Sequence, residues 1–501
     1  MKLTKFSILA AISLAITKCG AVNVTISDDT SNGIKIDPAL VSFSIELDRW
    51  PDWVGSLGRP NKYTQTVLKN VQDRTGFPSA FRVGGNSEDN AVYDPRFQYV
   101  NATFPPKTDI KPWPEASNIS IGRDFYRLSG NLLAGTEFTW GVNLKYRNVT
   151  IAVEEAKAIM ATFKTLHHVS LSMIEIGNEP DFYYTSAQAY ADDWLEMANA
   201  VSEAVHLVKG KKPTLQGAAF AGTSITMRNL LSTGYATNGS GELLSTLSQH
   251  RYQGSFCQGS GGLIADLMNK NHIRGNLSNY KPDIVATNNA GLTYVMGETN
   301  SYACHGAPGL SNTAGAAIWG VDYVLQAAKI NMTRCYFHNG IGYKYNFFQP
   351  IAGVGDDGVN KSSVPHIMPL YHVLLIVGEA IGNSGKSTLQ ELSIDETNVS
   401  GYGIYEHGKL ERIVLINSNL YLNTDSQRPV VTVSLQNLPT KARIQAKRFT
   451  TPSADATHGL TWGGQSFETS SGLPSGRVVT ETVSASNITI SASEVILLSI
   501  H

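Results

Sequence analysis

Eight short β-type runs alternate with helical patterns between residues 40 and 385, and this alternation narrows the possible folds more than any other feature of the 501-residue chain. The strands are predicted at 41–47, 80–85, 137–143, 173–179, 214–220, 247–252, 293–300 and 333–339. Strands separated by helices pair in parallel, because a parallel neighbour is reached only through a crossover connection. Eight such units close into a (β/α)8 TIM barrel with the helices outside. The clearest helices are predicted over 154–168, 186–205 and 314–330. The first carries Ala156, Ile159, Met160, Phe163 and Leu166 on one face. It opens on acids and ends on His167 and His168, as the helix dipole favours. The rival α/β architecture is a doubly wound open sheet, but no Gly-rich phosphate loop follows the first strand.

Beyond residue 384 the character changes. Alternating runs at 402–406, 413–417, 430–435, 443–449, 478–483 and 494–500 are separated by Gly, Pro, Asn and Ser without helical patterning. They predict an appended antiparallel β-sandwich. The expected division is a signal segment over 1–21, N-terminal strands over 22–39 that join the sandwich, a catalytic barrel over 40–385 and the sandwich over 386–501.

Lys2 and Lys5, the apolar run 6–16 and the small residues around Cys19-Gly20-Ala21 form a secretory signal pattern, too short for a membrane anchor. A secreted, extracellular protein without a membrane span is therefore expected. Ten N-x-S/T acceptors agree with this: Asn23, Asn101, Asn118, Asn148, Asn238, Asn276, Asn331, Asn360, Asn398 and Asn487. With Cys19 removed, Cys257, Cys304 and Cys335 remain. Cys257 and Cys304 each follow a predicted strand by a few residues, which favours a disulfide between neighbouring loops and leaves Cys335 as a core thiol. Nothing has the spacing of a zinc site. A net charge of -1 offers no basic field for nucleic acid. The expected state is a monomer.

The chemistry lies in residues 173–184, Met-Ile-Glu-Ile-Gly-Asn-Glu-Pro-Asp-Phe-Tyr-Tyr. Pro180 stops the ladder, so Asn178 and Glu179 sit where a strand opens into a loop. Counting every second residue inward places Glu46, Arg82 with Asn86 beyond it, His250, Tyr252 and Glu298 toward the C-terminal rim, where barrel enzymes keep their sites. Carboxylates at the ends of the fourth and seventh strands suit a retaining glycosidase, which needs an acid and a nucleophile about 5–5.5 Å apart. On this reading Glu179 is the acid/base, Glu298 the nucleophile, and the charge on Glu298 raises the pKa of Glu179. Glu175 and Arg82 read as a structural ion pair within the barrel, and His250 equally as strand packing or site.

Asn178-Glu179-Pro180 together with Glu298 resembles the clan of retaining (β/α)8 glycosidases. A closer resemblance is carried by Phe81-Arg-Val-Gly-Gly-Asn86, Glu175-Ile-Gly-Asn-Glu-Pro180, Glu298-Thr-Asn-Ser301 with Gly306-Ala-Pro308, and Phe337 through Tyr343. These motifs resemble glycoside hydrolase family 79, which includes heparanase and secreted fungal-type β-glucuronidases. The resemblance implies the barrel and sandwich already inferred, the same two catalytic glutamates, and no metal or organic cofactor. It further implies that Asn178 holds the sugar 2-hydroxyl, that Glu46 and Asn86 hold ring hydroxyls, and that Tyr252 orients the nucleophile. The substrate carboxylate would be met by backbone N–H groups at Cys304 and His305 and by Tyr343, with Tyr345 the alternative tyrosine. Where the heparanase-like pattern has glycines, this chain has Cys304 and His305.

The connection over 88–123, rich in proline, is long for a βα loop and is expected to wall off one end of the cleft. That favours removal of terminal β-linked glucuronic acid, with 4-O-methyl glucuronic acid also open, over heparanase-like endo cleavage. A β-glycosidase on neutral sugars and a non-catalytic carbohydrate-binding protein are the alternatives.

Overall fold

The computed structural model describes residues 21–27, 29–358, 360–438 and 442–501. All of the expected signal segment except Ala21 lies outside these residues.

Eight parallel strands close a barrel in chain order: Val41–Glu46, Phe81–Gly84, Glu137–Val142, Ser170–Ile176, Thr214–Phe220, Leu244–Ser255, Thr293–Ala303 and Cys335–Asn339. The last pairs with the first, Phe337 opposite Phe43. Every residue of the first strand is buried, as a barrel stave packed on both faces requires. Phe81, Phe138 and Trp140 from the second and third strands pack with Trp50 against the inside of the helical layer.

Two strands are longer than their sequence pattern predicts. The sixth and seventh remain paired past the rim as far as Ser255 and Ala303, so Tyr252 and Glu298 lie within their strands rather than at the ends. A register shift there sets Gln249 opposite Met296 but His250 opposite Glu298, leaving Gly297 as an extra residue. The first predicted helix also differs: it spans Val149–Phe163, with the Asn148 side chain accepting from Thr150 and Ile151 N–H. This N-cap opens the helix earlier than its acids suggest, and both histidines fall outside it.

The C-terminal region is a two-sheet sandwich. The larger sheet orders Ile34–Lys35, Thr388–Glu391, Val399–Glu406, Lys409–Asn417, Glu494–Ile500, Ile444–Thr450 and Thr461–Trp462. The smaller joins Val22–Thr25, Val430–Gln436 and Ile488–Ser491, its first pairing parallel. Alternation along Lys409–Asn417 explains the docking. Ile413 and Leu415 join the sandwich core, while Val414 and Ile416 join the core shared with the barrel.

Candidate active site

The fourth strand delivers its carboxylate by breaking the alternation used to place it. Gly177 has φ +85°, and a Cβ there would lie 2.6 Å from that of Leu144. Glu179 itself is left-handed at φ +44°. Between these two turns Asn178 swings inward and becomes fully buried, with its Oδ1 accepting from Arg82 at 2.8 Å. The Glu179 N–H donates to the carbonyl of Ala219 at 3.0 Å, which fixes the turn to the fifth strand.

Arg82 organises the floor. Its Nε donates to Glu175 at 2.6 Å, while one terminal nitrogen donates to Ser44 at 3.1 Å and to Glu298 at 2.9 Å. The Arg82–Glu175 pair is therefore present, as expected, but Arg82 also touches Glu298. Gln216 donates to the other Glu175 oxygen. The close approach of Glu46 to the second strand needs Gly85, at φ +76°, where a Cβ would stand 2.6 Å from the Glu46 carboxylate.

One oxygen of Glu179, one of Glu298 and a ring nitrogen of His250 all lie within 4.8 Å of one another. His250 Nδ1 is 3.1 Å from Glu179 Oε1. Tyr252 donates to Glu298 Oε1 at 2.7 Å, and His338 Nδ1 approaches Glu298 Oε2 at 3.4 Å. The other nitrogen of His338 is 3.2 Å from Glu46 Oε1. Glu179, His250 and Glu298 have donors close enough to share a cation. Arg82 and His338 already place positive charge on Glu298, which works against that use.

The two carboxyl groups occupy opposite electrostatic settings. Burial, then the charges of Glu298 and Asp181, push Glu179 well above the usual carboxylate range. Burial acts on Glu298 in the same direction. There it is outweighed by His338, His250, Arg82 and the Tyr252 hydrogen bond, which bring the group down to about 2. Burial holds His250 itself down to about 4, so above that pH the cations beside Glu298 are His338 and Arg82. The pKa of His338 is raised: burial opposes its charge, but Glu298 and Glu46 outweigh that cost.

A cavity of about 510 Å³ opens over this pair. Asn86, Glu179, Tyr252, Glu298, Cys304 and His305 line it, joined by Tyr345. Glu46 and Tyr343 lie just behind. Glu46 is committed to Asn86 N–H, Ser87 and His338, and Tyr343 lies under the His305 ring with centroids 3.7 Å apart. Cys257 and Cys304 form a disulfide across the extended strands, and Cys335 is a buried free thiol.

The connection after the second strand carries a small sheet of Ala91–Tyr93, Val100–Thr103 and Asn118–Ile121. It presents Lys111 and Glu115 to the cavity, and Glu115 lies 3.0 Å from His305 Nε2. His338, Glu115, Lys111 and the contact of Arg82 with Glu298 are what sequence reasoning missed. A single histidine at the end of the eighth strand was the available signal for His338.

Residues 401–497 match the model of the glycosyl hydrolase family 79 C-terminal β domain. A β-glucuronidase of Aspergillus niger is 29% identical over 480 residues, covering 89% of this chain and 85% of that protein. A β-glucuronidase of Neurospora crassa is 29% identical over 514 residues, covering 92% and 89%. The crystal structure of a 4-O-α-L-rhamnosyl-β-D-glucuronidase from Fusarium oxysporum superposes with a TM-score of 0.80 at 26% identity, covering 96% of this chain and all of that one. The chain is a glycoside hydrolase. The resemblance read from its strand-end motifs and the barrel-plus-sandwich architecture are borne out together. Among the described residues no helix of this hydrolase is long and apolar enough to cross a membrane.

Proposed function

We propose that this hydrolase removes terminal β-linked glucuronic acid by double displacement with net retention. Support comes from the β-glucuronidases of Aspergillus and Neurospora that it resembles along most of its length. The observation that carries the mechanism is a carboxylate pair within 4.8 Å whose members are held in opposite protonation states. Inverting enzymes need roughly 6.5–9.5 Å between the two groups, to admit a water.

Ionised Glu298 attacks the anomeric carbon, and protonated Glu179 gives its proton to the leaving oxygen. Tyr252 and Arg82 hold the Glu298 oxygens, one each, and so aim the attack. Once Glu298 is esterified its charge is gone, the repulsion on Glu179 falls, and Glu179 takes a proton from the incoming water. Asn86 lines the cavity and is assigned to a ring hydroxyl, with Glu46 bracing it from behind and the buried Asn178 linked to it at 3.4 Å.

The sugar carboxylate is assigned to the turn after the seventh strand. Cys304 and His305 are left-handed at φ +61° and +69°, and their N–H groups have no acceptor among the described residues. Two adjacent backbone donors beside a cavity form an anion site. The disulfide, the His305–Glu115 contact and the Tyr343 stack hold this turn where glycines would otherwise ease it. Tyr345 lines the same wall. Glu115 and Lys111 line the cavity beside His305, which supports a terminal sugar over an internal one.

Secretion belongs to the proposal, on the signal pattern, the disulfide and the acceptor asparagines. Eight of those asparagines are exposed; Asn276 and Asn398 are half-buried. Matched aryl β-glucuronide, β-glucoside and β-xyloside substrates test the function. Preference for the glucuronide is expected, and equal or better turnover of the neutral sugars would refute it.

A further inference from the structure

Phe182 stands at the edge of the catalytic cavity with three-quarters of its surface exposed, the most exposed large apolar side chain among the described residues. An isolated apolar residue on a surface is ordinary, so exposure alone decides nothing. Its mounting is not that of a loose surface residue. Pro180–Phe182 form one tight turn immediately after Glu179, with Phe182 N–H donating to the Glu179 carbonyl at 3.0 Å. Asp181 accepts from the N–H groups of Ala221 and Gly222 at 2.9 and 2.8 Å, bolting the turn to the loop after the fifth strand. The ring is thus held toward water by a rigid support, although its neighbours Tyr183 and Tyr184 are largely covered.

The side of the cleft follows from the chemistry. The acid protonates the oxygen between the sugar and its leaving group, so a turn that continues outward from Glu179 flanks the leaving group. The assigned carboxylate turn and Lys111 with Glu115 come from other loops that line the same cavity. Ala221 and Gln253 line the cavity without filling it with apolar bulk, so Phe182 is the large flat surface available there.

We propose that Phe182 is an aglycone platform, on which the pyranose ring of a saccharide leaving group lays its apolar face. This rests on the glycosidase reading of Glu179 and Glu298 but not on the identity of the sugar they release. A fixed aromatic ring captures such a face at little cost in side-chain entropy.

The test compares β-glucuronyl fluoride, whose leaving group has no ring, with a β-glucuronyl disaccharide, in wild type, Phe182→Ala and Phe182→Trp. The ratio of kcat/KM for the disaccharide to that for the fluoride is expected to fall about 3- to 10-fold in Phe182→Ala, mainly through KM, and to recover in Phe182→Trp. An unchanged ratio, or a fall that the tryptophan does not restore, overturns the platform. If wild type hydrolyses only neutral glycosyl fluorides, the glucuronide reading fails. The same ratio taken with a neutral disaccharide then decides the platform on its own.

Discussion

Glu179 and Glu298 are two glutamates within 4.8 Å of each other, and their surroundings push them in opposite directions. Glu298 sits on a charged floor, with Arg82 and Tyr252 each holding one of its oxygens. Glu179 has a neutral histidine for a neighbour and Glu298 as a like charge. Burial alone would protonate both. What separates them is where the cations stand: Arg82 reaches Glu298 from the second strand, across the closure of the barrel, and His338 from the adjacent eighth. Identical residue types are thus pushed toward opposite protonation states through strand closure rather than through local sequence.

The largest break in this pair comes from its charged member. Glu298→Ala removes the proposed attacking group and is expected to lower kcat by about four orders of magnitude or more on every substrate. Glu179→Ala separates the roles. A loss of about 10²- to 10⁴-fold is expected for leaving groups that need a proton, and a much smaller one for activated aryl groups. Equal losses on both would remove Glu179 from the acid role.

Next in size is Tyr252→Phe, which deletes the 2.7 Å hydrogen bond to ionised Glu298. A loss of roughly 1.5–3 kcal/mol is expected for a bond to a charge. Because that bond favours the charged form, its removal raises the Glu298 pKa, and the acid limb of the kcat/KM profile moves to higher pH. The basic limb, where Glu179 loses its proton, lies above the usual carboxylate range in wild type. An unmoved acid limb would detach Tyr252 from the nucleophile.

The smallest effect concerns the sugar rather than the pair. Reducing the Cys257–Cys304 disulfide frees the left-handed turn. KM for an aryl glucuronide is expected to rise by about 10-fold, the loss of one charge-assisted contact, with kcat changing little. A matched loss on a neutral glycoside would place the disulfide's role in stability alone.

The staves of the barrel were legible because each is a local pattern of alternation, and the two glutamates because strand counting carries a residue to the rim. The counting stopped working where the backbone left the extended state. Gly177 and Glu179 turn left-handed, so Asn178 is buried although its parity points it outward, and the extra residue Gly297 shifts the seventh strand against the sixth. The resemblance turned Asn178 inward, where alternation could not, and the structure buries it against Arg82. Contacts that depend on closure were harder still. Arg82 reaches Glu298 across 216 residues of chain and His338 reaches Glu46 across 292, and no local pattern encodes either. The continued pairing of the sixth and seventh strands was invisible for a related reason. Beyond Tyr252 the sixth is Gln-Gly-Ser, a run that reads as loop and is held in the sheet by its partner.

The division of labour between the two carboxylates is tested most directly by the first product released. Proton NMR of an aryl β-glucuronide digest, recorded before mutarotation, is predicted to show the β-anomer of glucuronic acid appearing first. Initial release of the α-anomer would mean that water, not Glu298, attacks the sugar, and would contradict the account.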